Sequence, residues 1–256
     1  MRETCIESRP RALQGGPPVG NARRWRPGGR PQGRDRGRFL PWTNGAAMRE
    51  SDSSEMEAPE TLPGVGEAIC NCRACPIGAL DNRAVMGEGP RDAPLMIVGE
   101  QPGDVEDRAG RPFVGPAGRL LDQRLAKAGI ERERAYLTNA VKHFKFARRG
   151  KRRLHKSPTT GEIDTCRWWL ERERAIVAPR LVLALGVSAA RGVLGKTVRI
   201  SRSRGEGITL GDGAEAWVTA HPSYLLRLSG GKKAEQERLF DADLAAVKDR
   251  LEELTR

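Results

Sequence analysis

No apolar run in this sequence is long enough to cross a membrane, and none has the form of a secretory leader. A cytoplasmic protein is the expectation that follows. Cysteine is sparse and odd in number, five in 256 residues, which argues against a disulfide framework and for a metal or cluster. Histidine is rarer still: only His143, His155 and His221. Lysine is missing altogether from residues 1–47, which hold ten arginines and three acids, a net +7 that leaves only +5 for the other 209 residues. The folded part is therefore mildly basic, although the whole chain at +12 points to a polyanionic partner.

Those first 47 residues also lack apolar periodicity and are rich in Gly, Pro and Arg, so they bury too little surface to offset the entropy of ordering. The expectation is a disordered extension with an acidic linker over residues 1–60 and one folded domain over residues 61–256. An Arg/Gly-rich nucleic-acid tail is one reading of the extension; a non-essential segment, with Met48 as the true start, is the plainer one.

From residue 93 onward short apolar runs alternate with amphipathic stretches. "APLMIVGE" (93–100), "AYLTNAV" (135–141), "RLVLALG" (180–186) and "EAWVTAH" (215–221) read as buried strands. Between them, "AGRLLDQRLAKAGI" and "GEIDTCRWWLERERAIVA" carry helical spacing, the second with Ile163, Cys166, Leu170 and Val177 on one face. "VSAARGVLG" reads as a short helix. A C-terminal helix aligns Phe240, Leu244, Val247, Leu251 and Leu254. This alternation predicts an α/β protein, a three-layer α/β/α sandwich with a central parallel sheet. Ligands of such sheets bind beyond the carboxyl ends of the strands. "GEQPGDVED", "TNAVKHFKF" with the basic stretch after it, and "HPSYLL" all follow strands, so topology gathers them at one edge.

The segment "GEQPGDVEDRAGRPFVGPAGR" has the glycines of a phosphate-binding turn but matches neither G-x-x-x-x-G-K-[ST] nor G-x-G-x-x-G, so a nucleotide cofactor is poorly supported. Its acids Glu100, Asp104, Glu106 and Asp107 suit either the positioning of water and stabilisation of a cation or plain turn formation and capping. Cys72 and Cys75 form C-x-x-C, a cluster or zinc signal that needs further ligands. Cys166 fits a ligand or a small buried apolar residue. Cys5 and Cys70 read as ordinary thiols. "RRGKRRLHKSP" surrounds His155 with cations; composition alone makes it a solvated basic loop.

Taken in order, "GEQPGDVEDRAGRPFVGPAGRLLD", "TNAVKHFKF", "GKRRLHK" and "HPSYLLR", with the C-x-x-C upstream, resemble the uracil-DNA glycosylase superfamily over about residues 65–255. Within it they look like the iron–sulfur family four branch and its UdgX proteins, which bind uracil-DNA covalently and carry a "KRR-[IL]-H" loop. Leu154 stands here where Ile is more usual, a volume-conserving change. The resemblance implies a [4Fe–4S] cluster on Cys72, Cys75, Cys166 and His143, with a structural role. It implies uracil-containing DNA as partner, the nucleotide flipped or single-stranded. The lack of a long intercalation wedge beyond "SYLLR" adds the expectation that single strands are accepted, and a monomer is the default.

Site roles follow from the same resemblance. Phe113 stacks on uracil, the Asn139 amide reads its N3 and O4 edge, and His221 donates to O2 of the departing base. His155 captures sugar C1′, leaving an N-linked adduct after one turnover. Glu100 and Gln101 assist His155. Lys151, Arg152, Arg153, Lys156 and Ser223 contact DNA, the cations also disfavouring a protonated His155, and Arg153 locks the loop. A conventional multiple-turnover glycosylase in the same pocket is the alternative.

Overall fold

The computed structural model describes residues 59–256. The expectations for the arginine-rich extension, for Met48 and for Cys5 fall outside the described residues.

The first helix, α1 (Leu62–Cys70), starts where Thr61 Oγ1 accepts the Gly64 N–H and ends just before the C-x-x-C segment. β1 (Leu95–Gly99) pairs in parallel with β2 (Ala135–Asn139) on one side and with β5 (Leu181–Leu185) on the other. β5 pairs in turn with β7 (Glu215–Thr219), also in parallel. With β6 (Ile208–Thr209) at the far edge, the order β2-β1-β5-β7-β6 places β1 and β5 side by side. The chain moves outward from β1 to β2, then crosses back to β5, so the gap between the ends of β1 and β5 is the point where strand order reverses.

Alternation along each strand assigns the two faces. Met96, Val98, Val182, Ala184, Ala216 and Val218 face one core with α4 (Thr160–Val177) and α5 (Gly186–Leu194). Leu95, Ile97, Leu137, Leu181, Leu183 and Trp217 face the other, with α3 (Pro116–Lys127) and α8 (Gly230–Thr255). The inward residues expected of α4 are all buried, and the expected stripe of α8 lies in the second core. The three-layer α/β/α sandwich is thus the architecture.

The central sheet is parallel as expected, with one short antiparallel edge where the two-residue β6 runs along β7. One expectation needs correction. The basic stretch is not a loop: β3 (Phe146–Arg149) and β4 (Arg152–His155) form an antiparallel hairpin with Phe146 opposite His155 and Arg148 opposite Arg153. Gly150, at φ 59°, supplies the left-handed turn a two-residue connection requires. Charge had masked the period-two pattern. A further helix, α2 (Asp104–Ala109), follows β1; a four-residue helix, α6 (Ile200–Ser203), precedes β6; and α7 (Pro222–Leu226) follows β7.

Candidate active site

A cleft of about 1230 Å³ opens at the carboxyl edge of the sheet, above the reversal between β1 and β5. Glu100, Gln101, Phe113, Asn139, His155, His221 and Ser223 all line it. Residues spread over more than 120 positions of chain therefore converge: parallel strands deliver Glu100, Gln101, Asn139, His221 and Ser223 to one edge, the hairpin after β2 adds His155, and the segment after α2 adds Phe113.

The floor of the cleft is crowded by design of the backbone. A side chain at Gly99 has no room: its Cβ would lie 2.4 Å from Asn139 Oδ1 and 2.7 Å from Phe113 Cζ. The bare backbone lets Phe113 and Asn139 face the same space. Phe113 itself is buried and held at φ 55°, a left-handed conformation that costs a bulky residue on the order of 1–2 kcal/mol. Gly118 makes this possible, since a Cβ there would collide with the Phe113 carbonyl.

His221 caps α7. Its Nδ1 accepts the Ser223 backbone N–H at 3.1 Å, with Ser223 Oγ 2.9 Å from the same nitrogen. With Nδ1 an acceptor, the proton of the neutral ring sits on Nε2, which is left as a donor. Burial pushes the ring down to about 4, against an opposing pull from Glu100, so it is neutral across physiological pH. Ser223, expected as a DNA contact, also sets the tautomer of His221.

Of the four acids in the glycine-rich segment, one faces His155 at the base of the hairpin. Glu100 Oε1 lies 3.3 Å from His155 Nε2, and Glu100 Oε2 accepts the Ser188 hydroxyl at 2.6 Å. Burial raises the Glu100 carboxyl, but the hydrogen bonds from His155 and Ser188 outweigh it and hold the group below the usual carboxylate range. It is ionised at neutral pH. The other three acids are structural: Glu106 accepts the Gly103 and Gly115 N–H groups at 3.2 and 2.8 Å, and Asp104 and Asp107 bind Arg153. Ser188 was not foreseen; its only signal was its place at the start of a helix following a strand.

The hairpin is fastened at two points. Gln101 Nε2 donates to the Lys156 and Lys145 carbonyls at 3.0 and 3.3 Å, while its Oε1 accepts the Lys145 N–H at 3.1 Å. Gln101 therefore closes the hairpin's base. Arg153 donates through Nε to Asp104 and through a terminal nitrogen to Asp107, each at 2.6 Å, with its guanidinium over the rings of Phe144 and Phe146. Its side chain is 12 % exposed, and its charge is directed inward, where it holds the hairpin. Lys151, Arg152 and Lys156 are exposed around His155, which is itself half-exposed.

The cysteines lie behind this edge. Trp169 Nε1–H donates to Cys72 Sγ at 3.3 Å, and the Lys142 backbone N–H donates to Cys166 Sγ at 3.3 Å. Burial pushes the Cys166 thiol up to about 12, with Lys142 opposing and the neighbouring Cys75 and Cys72 adding to the rise. Three sulfurs thus share one neighbourhood. No group of three or more His, Cys, Asp or Glu among the described residues is arranged to hold a single metal ion. Sulfurs that accept N–H hydrogen bonds, as Cys72 and Cys166 do, have the surroundings that tune the thiolate ligands of an iron–sulfur cluster. His143 is buried, bridges Ala84 through its backbone and stands next to Lys142. Cys70, expected as an ordinary thiol, is disulfide-bonded.

Comparison with known proteins agrees with this arrangement. The profile of the Uracil DNA glycosylase superfamily matches residues 86–245. The Type-4 uracil-DNA glycosylase of Thermotoga maritima is 36% identical over 190 residues, 74% of this chain and 94% of that protein. The Type-4 uracil-DNA glycosylase of Pyrobaculum aerophilum is 36% identical over 173 residues, 65% and 85% of the two chains. A Type-5 uracil-DNA glycosylase of the same organism is 33% identical over 164 residues, covering 56% and 67%. With its cleft at the strand reversal, and with the family profile spanning well over half its length, this chain belongs to the uracil DNA glycosylase superfamily.

Proposed function

We propose that this protein excises uracil from DNA and then captures the exposed sugar through His155. The observation that carries the second half is the placement of an imidazole beside an ionised carboxylate, on a hairpin pinned by Gln101 and Arg153. Similarity to the Type-4 enzymes carries the first half.

In this reading the flipped uracil stacks on Phe113, and the Asn139 amide donates to O4 while accepting from N3–H. Cytosine presents the opposite pattern and is refused. His221 Nε2–H donates to O2 as the C1′–N1 electron pair leaves with the base, a preorganised donor at the point where negative charge develops. The sugar left behind is oxocarbenium-like, and the Glu100 carboxylate stabilises its charge. The unprotonated ring nitrogen of His155 supplies the electron pair of a new C1′–N bond before water arrives. The imidazolium so formed gives its proton to Glu100 and on to solvent, while the uracil anion takes one up. Lys151, Arg152 and Lys156 hold the flanking phosphates, and single strands are accepted because their bases are already unstacked.

Cys72, Cys75 and Cys166, with His143 as the fourth ligand, hold a [4Fe–4S] cluster that ties the segment before β1 to α4 and supplies structure rather than bond breaking.

A denaturing gel of protein mixed with a uracil-containing oligonucleotide tests the proposal. A boiling-resistant shifted band that requires uracil and disappears in His155→Ser is expected. Abasic DNA accumulating beyond one equivalent with no shifted band would reject capture and leave a conventional glycosylase. Similarity to Type-4 enzymes favours that second reading.

A further inference from the structure

The lysine of "TNAVKHF" has no part in the chemistry above, yet it occupies the most enclosed charged position described. Lys142 and Glu173 have side chains with 0% exposure, although one follows β2 and the other lies within α4. Removing two charges from water is costly, and is recovered only where geometry is close and every partner is supplied. Both conditions hold. Lys142 Nζ donates to Glu173 Oε2 at 2.6 Å, to Thr138 Oγ1 at 2.7 Å and to the Asn139 carbonyl at 2.7 Å, which uses all three ammonium protons. Glu173 is equally committed: Oε1 accepts the Gly87 N–H at 3.0 Å and Oε2 also accepts the Thr138 hydroxyl at 2.7 Å.

Two contacts lead out of this pair toward groups that matter. The Asn139 carbonyl belongs to the residue whose amide lines the cleft. The Lys142 backbone N–H reaches Cys166 Sγ. A single residue thus touches the end of the strand that presents the base-reading amide and one sulfur of the cysteine group. An apolar pair of similar volume would fill the space without the cost of desolvation, but it would leave the Asn139 carbonyl without the donor that fixes the strand end.

We infer that Lys142, held by Glu173, is a positioning residue that sets the Asn139 amide against uracil and ties that setting to the cysteine group. The inference rests on the uracil reading above. A misplacement of about 1 Å at a reacting centre costs on the order of a hundredfold, so a modest drift of Asn139 is enough to be measured.

Lys142→Met and Glu173→Gln, singly and together, form the test. Each single change strands a buried partner and lowers the melting temperature; the double change removes both charges and regains most of the loss. Three further readouts separate positioning from bulk structure: the inhibition constant of free uracil, the single-turnover rate of uracil release from a uracil-containing single strand, and iron per chain. The double variant is expected to melt close to the parent and keep its iron, while uracil inhibition weakens and the single-turnover rate falls, each by about tenfold or more. Parent-like melting together with parent-like uracil inhibition in the double variant would overturn the inference. Thr138→Val, a near-isosteric loss of one Lys142 acceptor, gives a second measure should the double variant fold poorly. A severalfold weaker uracil inhibition supports positioning, and an unchanged one refutes it. A parent protein that neither releases nor binds uracil sinks the excision reading itself, an outcome distinct from all of these.

Discussion

At the scale of single residues, His221 is the group whose protonation is most tightly determined. The Ser223 N–H fixes which nitrogen accepts, and burial keeps the ring neutral. His221→Asn removes the Nε2–H donor from its place, and the rate of uracil release is expected to fall by about 10²–10³, the usual cost of one oxyanion donor, as read from single-turnover kinetics. The same residue leaves a mark on stability. Its folded value is about 4 against an ordinary 6.5, so between these limits the unfolded chain binds a proton that the native state does not. His221 therefore costs no stability above pH 6.5 and progressively weakens the fold as pH falls from there toward 4. Urea midpoints measured across that range should decline in the parent and less steeply in His221→Asn. Glu100 works alongside as a permanent anion, since its hydrogen bonds from His155 and Ser188 outweigh burial.

At the scale of the element, the hairpin carries His155 to the rim of the cleft. A two-stranded ribbon is marginal by itself in water, and β3 and β4 carry like charges that repel. What holds them is local: Arg153 between two carboxylates and two aromatic rings, and Gln101 bridging both ends of the ribbon. Gln101→Ala frees the base of the hairpin while leaving the Asn139 and Phe113 pocket untouched. Covalent capture is expected to slow by about tenfold or more while the inhibition constant of free uracil stays within about twofold, because proximity governs the first and not the second. An unchanged capture rate would show that the hairpin needs no such anchor. "RRGKRRLHKSP" concealed this element because charge pattern reports solvent preference, whereas Arg153 is turned inward by partners some 46 and 49 residues away in sequence.

Across the whole molecule, the sheet joins two regions that sequence keeps apart. The cysteine group anchors the segment between α1 and β1 to α4, and the cleft lies at the strand ends beyond it. With no metal, Cys166 is a buried thiol pushed up to about 12; a bound cluster is what makes thiolates of such groups. Iron and labile sulfide are expected in the purified protein and are expected to fall in Cys166→Ser together with the melting temperature, while Cys70→Ser keeps both metal and sulfide. Metal retained in full by Cys166→Ser would remove that residue from the ligand set. No helix among the described residues is long and apolar enough to cross a membrane.

The sequence by itself determined the four parallel strands, the helices between them and the edge where chemistry gathers. Strands such as "LVLAL" and the α4 face of Ile163, Cys166, Leu170 and Val177 are legible because burial imposes a local period of two or 3.6. The motif order placed Phe113, Asn139, His155 and His221 beyond strand ends, where parallel topology brings them together. Partner choice was decided only in the tertiary structure. Spacing left four acids equivalent and the family resemblance singled out Glu100 without a physical reason; the fold supplies that reason, because Glu106 is claimed by backbone N–H groups and Asp104 and Asp107 by Arg153, while Glu100 faces His155. Lys142 and Glu173 likewise show no mutual signal across 31 residues. Periodicity encodes which side of an element is buried; which groups meet there depends on long-range packing, and only the folded chain supplies it.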